Sequence, residues 1–487
     1  MGLLKKLVGQ TAIYGLSSIV GRLLNFLLVP LYTSIFAPEE YGVFAELMAV
    51  VAFAMVVLTY GFETAFFHYT NKEEDSEKVL STGFISLLVT SLLFLVFSSF
   101  YSQAIANLLH VPEYPNFIQW LVWILVLDVL TTLPFAKLRV DHRAWRFASI
   151  RLVNIAMNIG LNLFFYLLCP YFLKQGIAVN FVESIYHPAM GIGYIFISNL
   201  IASAVMLLLL TPEIFKLKFS FDFAVWKKMG KYGFPLLIGG LAYVTNETAD
   251  KLLLKHLLPA DIATAQVGIY SACYKIAIFM TLFIQAFRYG AEPFFFAQAQ
   301  KTDAKEKYAT VMRYFIAFTA FIFLGINVFI DVIKNFIRDE AYHEGLDVVP
   351  ILLLANLFLG MYYNLSVWYK VSEKTRFGAY LSVAGAIITI VLNILLIPIM
   401  SYMGSAWATL ICYASMCVLS YLFSRRHYPI SYEWKYISFY MISALSLFYI
   451  WNLWHDNHFI MSGLFCLIYI FSVVVLEKRK KISTFNL

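Results

Sequence analysis

Residues 377–399 read FGAYLSVAGAIITIVLNILLIPI, a run without a charged side chain. The hydrocarbon core of a bilayer is about 30 Å thick and takes about 20 apolar residues of helix to cross, so this run predicts a transmembrane helix. Similar runs precede and follow it along the chain. The predicted spans, about fourteen, lie at 11–36, 41–68, 79–101, 116–136, 147–169, 189–210, 232–255, 265–290, 308–330, 347–369, 377–399, 403–424, 435–453 and 459–476.

The composition of the 487-residue chain indicates the same class of protein. The chain is 61% hydrophobic and 13% charged, whereas soluble domains carry about 25% charged residues. Lysines and arginines lie mainly in alternate connections, which predicts two cytoplasmic termini in the cell inner membrane. The net charge of +7 therefore reflects topology and not a nucleic-acid partner. We expect an all-α polytopic membrane protein.

The first six predicted spans resemble the next six. Three motifs recur in the same order, namely YGVF at 41–44 and VGIY at 267–270, GFETAFF at 61–67 and GAEPFF at 290–295, and Arg146 before Asn162 and Arg376 before Asn393. Parallel repeats of six helices predict two lobes with a central cavity that opens to each side alternately, as in a transporter. The predicted domains are an N-terminal lobe at 1–218, a C-terminal lobe at 219–428 and two additional helices at 429–487.

Several charged residues lie inside predicted spans. A charge at bilayer depth costs on the order of 2.5–3.5 kcal/mol by insertion scales, so it usually faces a partner or a watery cavity. Arg22 and Asn25 share one face of the first span, and Lys251 and Lys275 lie in spans seven and eight. These cations predict a binding site for an anion such as phosphate or pyrophosphate. In the alternative interpretation, Arg22 bridges to Asp128 of the fourth span.

A second set of charged residues is predicted to act in ion coupling or gating: Asp128, Glu247, Asp250 and Arg288. The two aspartates would titrate or bind a coupling cation. Glu247 lies one helical turn before Lys251, so either it or Asp250 would neutralise that lysine. Arg288 lies towards the cytoplasmic end of its span, where snorkelling or gate-closing contacts are the alternative to a substrate role.

Other chemistry-bearing residues are interpreted as structural. All five cysteines fall in apolar stretches, where cysteine acts as a small hydrophobic residue. His455 and His458 lie together in a predicted outer loop without a thiol beside them, and we expect no metal site there. The sequence contains no phosphate-binding loop, catalytic triad or cofactor fingerprint. We therefore expect neither an enzyme nor a cofactor, and we assign no catalytic residue.

Six short motifs carry a resemblance to a known family: GR at 21–22, APEEYG at 37–42, YGFPL at 232–236, TADK at 248–251, VGIYS at 267–271 and YKIA at 274–277. The chain resembles polysaccharide flippases of the Wzx type over about residues 8–425. Their superfamily also includes multidrug and toxin extrusion proteins and lipid II flippases. The family often has Asp-Arg where this chain has Asp250-Lys251, and lysine lacks the bidentate fork of arginine.

The resemblance implies a transporter that flips a polyprenyl-pyrophosphate-linked oligosaccharide from the cytoplasmic to the outer leaflet by alternating access. Such transport serves the biosynthesis of cell-surface polysaccharide, including lipopolysaccharide. Arg22 and Lys251 are the first candidates for cavity cations. The implied partners are the lipid-linked oligosaccharide, membrane lipids, Na⁺ or H⁺ as coupling ion, and polysaccharide polymerase and ligase proteins.

Two other classes of function stay open at this stage. An ion-coupled multidrug efflux transporter would need an acidic cavity, whereas the cations inside these spans equal or outnumber the acids. A membrane glycosyltransferase or polymerase typically has a large outer loop with acidic or arginine-rich catalytic motifs. The outer loops predicted here are short and poor in charge.

Overall fold

The computed structural model describes residues 19–70, 76–454 and 459–485, so the predicted start of the first span and both histidines discussed above lie outside it. Each predicted span overlaps one helix of the described chain. The helices are α1 (Ile19–Ile35), α2 (Pro38–Thr70), α3 (Ser76–Phe100), α4 (Pro115–Val140), α5 (Ala144–Gln175), α6 (Gly193–Ile214), α7 (Phe223–Leu257), α8 (Ala260–Gln298), α9 (Ala304–Val328), α10 (Glu340–Val371), α11 (Arg376–Met400), α12 (Tyr402–His427), α13 (Trp434–Leu453) and α14 (Phe459–Lys480).

Twelve of the described helices are long and apolar enough to cross a membrane. The two others are α1, whose described part is short, and α7, which has 35 residues but a polar second half. All five cysteines are buried. The all-α polytopic fold predicted from the sequence is therefore confirmed.

The chain divides into two compact units. Unit 1 comprises Met1–Leu28 and Glu39–Thr248, and unit 2 comprises Val29–Pro38 and Ala249–Leu487. Each unit thus contains part of α1 and part of α7. The domain limits expected at 218 and 428 stay predictions.

Helix α2 of unit 1 breaks where it meets α7. Tyr60 and Gly61 have positive φ angles of 33° and 75°, and the helix resumes at Phe62. A Cβ atom at Gly233 would lie 2.6 Å from the carbonyl oxygen of Tyr60, so the two backbones approach closely. Lipid tails are as apolar as leucine, and helices in membranes associate through such tight packing and not through the hydrophobic effect. The close contact between α2 and α7 therefore explains Gly61 of the GFETAFF motif and Gly233 of the YGFPL motif.

Several contacts recur in the two halves of the chain. Asn162 and Asn393 are both fully buried, and each donates its side-chain N–H to a carbonyl four residues earlier, over 2.8 Å. The glutamates of the repeated GFE and GAE motifs pair with cations on α4 and α10, namely Glu63 with Arg139 and Glu292 with Lys370. The break in α2 does not recur, because α8 continues unbroken through Gly290 for 39 residues.

Helices α13 and α14 are joined to α9 by buried charges in unit 2. The side chain of Arg313 on α9 is 5% exposed, and its Nη1 lies 2.5 Å from Oε2 of Glu433. Its Nε lies 3.2 Å from Oε1 of Glu477 on α14. Lys480 Nζ approaches the same Glu433 oxygen to 2.5 Å. The four charges balance, and we call this group the Arg313 network.

Candidate functional site

The structure brings two of the predicted substrate-binding cations together in unit 2. Lys251 on α7 has a side chain that is 14% exposed, and its Nζ lies 4.9 Å above the ring centre of Tyr274 on α8. Lys275 follows that tyrosine on α8 and is half-buried. Like charges are held together in the membrane region only where a partner or an anionic ligand compensates them.

Asp250 supplies part of that compensation. Its Oδ1 lies 3.5 Å from Lys251 Nζ, so of the two neutralising residues considered for this lysine, the structure shows Asp250 as an ion-pair partner. The hydroxyl of Tyr270 on α8 donates to Oδ2 of Asp250 over 2.7 Å. Tyr270 is fully buried and also hydrogen-bonds Thr409 of α12. We call this group the lysine cluster (Asp250, Lys251, Tyr270, Tyr274 and Lys275); it contains two lysines and one aspartate, and only Lys251 is shown as an ion-pair partner of that aspartate.

The other two predicted substrate-binding residues lie on α1 in unit 1. Gly21 is buried against α5, where a Cβ atom would lie 2.8 Å from Cδ1 of Ile155. The next residue, Arg22, is exposed, as is Asn25 one turn later. Within the part of the chain that the structure describes, Arg22 makes neither a hydrogen bond nor an ion pair, so the bridge to Asp128 is not observed there. Roles for Arg22 and Asn25 in substrate binding stay predictions.

Asp128 on α4 has a different cation beside it. It hydrogen-bonds Ser203 of α6 and is attracted by Arg151 of α5. The guanidinium of Arg151 lies 4.5 Å from the ring centre of Phe135. Sequence reasoning missed Arg151, although α4 and α5 are consecutive and each carries a charge inside its span. Asp128 and Arg151 are thus two opposite charges that attract each other within unit 1.

Arg288 and Glu247 complete the predicted set. The Arg288 guanidinium lies 4.1 Å above the ring of Tyr363, and its Nε lies 3.5 Å from Oε1 of Glu292. Lys370 Nζ lies 2.7 Å from the same oxygen. Arg288 is thus engaged in contacts between α8 and α10, and its role in gating stays a prediction. Glu247 is half-buried on α7.

An apolar groove of about 720 Å³ lies on the surface of unit 2 between α8, α9 and α14. Its lining includes the rings of Phe283, Phe318 and Tyr469 and the side chains of Val473 and Val474. The ring of Phe318 is 48% exposed, so the groove is open and not enclosed. A groove of this kind is suited to an alkyl or isoprenoid chain.

Solved structures with the same fold include two kinds of transporter. The lipid II flippase MurJ in an inward closed conformation matches with a TM-score of 0.75 and 14% identity, over 96% of this chain and 99% of that chain. A multidrug resistance MATE family transporter of the MOP superfamily, in an inward-facing conformation, matches with a TM-score of 0.66 and 12% identity, over 83% and 94%. A MOP superfamily transporter from Pyrococcus furiosus, described by a reversed polarity of its binding pocket, matches with a TM-score of 0.53 and 13% identity, over 86% and 95%.

These likenesses confirm the transporter fold, and at such low identity they show the fold alone. No curated protein sequence matches the chain significantly. A family model described as "Polysaccharide biosynthesis protein" matches residues 33–337, which is more than half of the chain. The protein therefore belongs to the polysaccharide biosynthesis protein family and has the fold shared by MurJ and the MATE transporters.

Proposed function

We propose that this protein flips a polyprenyl-pyrophosphate-linked oligosaccharide from the cytoplasmic to the outer leaflet. The observation that carries the proposal is the lysine cluster, in which Lys251 and Lys275 outnumber Asp250. Away from bulk water a cation attracts a phosphate far more strongly than it does at a surface. A cationic drug would be repelled by the same cluster, so the charge balance favours the flippase over a drug exporter.

The remaining parts of the substrate have their own support. Membership of the family connects the chain with polysaccharide synthesis. The apolar groove on α8, α9 and α14 offers aromatic surface to a polyprenyl tail, which would stay outside the polar site. A substrate with a charged head and a long apolar tail fits both features of unit 2.

Asp250 suggests how substrate binding is coupled to an ion. When a pyrophosphate engages Lys251, the carboxylate loses its cationic partner and keeps the hydrogen bond from Tyr270. A proton or Na⁺ would then compensate the exposed negative charge. The Asp128–Arg151 pair is the corresponding candidate in unit 1. Alternating access follows from this scheme if the ion and the substrate favour different conformations.

Leaflet exchange of a fluorescent polyprenyl-pyrophosphate oligosaccharide in proteoliposomes tests the proposal. Purified native protein should render the probe accessible from both sides of the membrane, and empty liposomes should not. Protein that moves no lipid-linked sugar, and instead expels cationic dyes under an ion gradient, would assign it to the drug exporters.

A further inference from the structure

Unit 2 contains a second cavity, of about 820 Å³, at the other end of α9. It shares only Phe321 with the groove described above. Its walls are mostly aromatic and aliphatic, with Phe279 from α8 and with Phe329 and Phe336 from the segment that follows α9. One charged residue, Arg338, lies in the lining.

The backbone around Arg338 is fixed by hydrogen bonds. Its N–H donates to Oγ1 of Thr33 over 3.1 Å. The preceding residue, Ile337, is fully buried, and its carbonyl oxygen lies 2.8 Å from Nε2 of His343. The side chain of Arg338 is therefore presented from a rigid segment, which lowers the entropy lost when a ligand binds.

The charge of Arg338 is available to a ligand. Its side chain is exposed and forms no ion pair or hydrogen bond with the residues that the structure describes. The neighbouring cation Lys334 is already paired with Asp331 over 2.7 Å. The adjacent carboxylate, that of Asp339, accepts the N–H of Ala341 over 2.9 Å. The guanidinium is therefore open to a ligand that supplies an acceptor.

The length of the cavity indicates the size of the apolar part of that ligand. Its lining extends from Phe321 on α9 to Phe329, the residue directly after that helix, which is about 12 Å at the helical rise of 1.5 Å per residue. One leaflet supplies about half of the 30 Å hydrocarbon core. The apolar wall is thus close to the depth of one leaflet, and Arg338 follows the last aromatic residue of the lining, Phe336, by two positions in the chain.

We propose that this cavity binds an anionic phospholipid, with the phosphate on Arg338 and an acyl chain against the phenylalanine rings. Guanidinium groups bind phosphate oxygens in a bidentate manner, which accounts for an arginine at the mouth. Gly325 leaves space for the chain, since a Cβ atom there would meet nothing within 4 Å. This lipid is a resident of the protein and differs from the transported substrate, whose site is the lysine cluster.

Native mass spectrometry of the delipidated full chain tests the site, with phosphatidylglycerol and phosphatidylcholine of identical acyl chains as probes. We expect the anionic lipid to bind about fivefold more tightly, the effect of one cation near a membrane surface. Arg338→Gln should remove that preference, and Arg338→Lys should retain most of it. Lys334→Gln is the matched control and should leave it unchanged, because that lysine is paired and does not line the cavity.

Gly325→Leu tests the apolar part of the lipid site. The added Cβ atom would meet no atom within 4 Å, and leucine favours a helix more than glycine, so the variant should fold with its side chain in the cavity. It should lose the tightly bound lipid.

Equal binding of both lipids by the native chain, or unchanged binding by Arg338→Gln or Gly325→Leu, would overturn the proposal. Displacement of phosphatidylglycerol by polyprenyl phosphate would do so too, since it would assign the cavity to the substrate tail. Sugar-lipid transport in phosphatidylcholine liposomes should persist in all these variants, so the two proposals can fail separately.

Discussion

The hydroxyl of Tyr270 donates to Oδ2 of Asp250 over 2.7 Å, while the other oxygen of that carboxylate lies 3.5 Å from Lys251 Nζ. The aspartate therefore has two partners of different kinds on its two oxygens. Tyr270 is fully buried and fixed, whereas Lys251 is a flexible side chain with some exposure. We therefore expect a substrate to displace Asp250 from Lys251 and to leave the hydrogen bond from Tyr270 in place.

Replacing either clustered lysine should slow transport. A hydrogen bond to a charged group contributes about 1.5–3 kcal/mol, so Lys251→Gln and Lys275→Gln should each lower the initial rate about ten- to a hundredfold. Proteoliposome assays of leaflet exchange give the rates. Lys255→Gln is the control, because Lys255 lies on the same helix and hydrogen-bonds Thr264 outside the cluster. Rates that fall equally in all three variants would contradict a specific role for the cluster.

Tyr270→Phe should lower both stability and substrate affinity. The change leaves one oxygen of buried Asp250 without its hydrogen bond, at a cost of about 1–3 kcal/mol. The carboxylate should then bind Lys251 more strongly and compete with the anionic head of the substrate. Thermal unfolding and substrate titration measure the two effects. Tyr289→Phe, at an exposed residue of the same helix, should change neither.

Arg313→Met should destabilise the protein by about 3–5 kcal/mol, because it leaves Glu433 and Glu477 without their buried cation. Lys307 lies on the same helix as Arg313. Lys307→Met removes an exposed ion pair with Asp303 and should lower the stability by about 1 kcal/mol or less. Scanning fluorimetry distinguishes them. If the two variants unfold at the same temperature, the Arg313 network does not stabilise the fold.

Replacing Gly233 and Gly290 with alanine should change the stability of the protein in different ways. Gly233→Ala forces a Cβ atom to within 2.6 Å of the Tyr60 carbonyl, and such overpacking costs about 1–3 kcal/mol. Gly290→Ala meets no atom within 4 Å and should be neutral or stabilise α8 by up to about 1 kcal/mol. Unfolding temperatures of the two variants provide the measurement. A loss of stability at Gly290, or none at Gly233, would show that the backbone contact is not the cause.

Stability in acid should depend on Asp222, which precedes α7. The pKa of its carboxyl group is lowered by a hydrogen bond with Lys78, whose Nζ lies 2.6 Å away. Hydrogen bonds from the N–H groups of Val225 and Ala224 lower it further. The pKa in the folded state is below the unfolded value of about 3.9. The ionised carboxylate therefore stabilises the fold at pH values above the unfolded pKa, and this stabilisation is lost as the pH falls through the folded pKa. Asp222→Asn should therefore be less stable at neutral pH and approach the native chain in acid. A constant difference across the titration would exclude this ionisation as the cause.

The helices could be predicted from the sequence because span length and apolar content are local properties. The intramembrane charges were visible for the same reason, as residues 248–251 and Lys275 show. Their partners were not, since spacing along one helix gives a face but not the helix that it meets. Tyr270 resembles any aromatic residue of a span until the fold places it on Asp250. Likewise, Arg139 and Lys370 look like ordinary cytoplasmic cations until α4 and α10 bring them to Glu63 and Glu292.

The order in which the chain is synthesised gives the Arg313 network a further consequence. Arg313 precedes Glu433 by 120 residues, and ribosomes add about 5–20 residues per second. The arginine therefore emerges roughly 6–24 s before its first carboxylate. During that interval α9 carries an uncompensated charge, and Glu477 follows only with the last helix. Helices α13 and α14 thus complete the neutralisation of a helix made long before them, so a nascent chain that stops short of them retains an unpaired cation on α9.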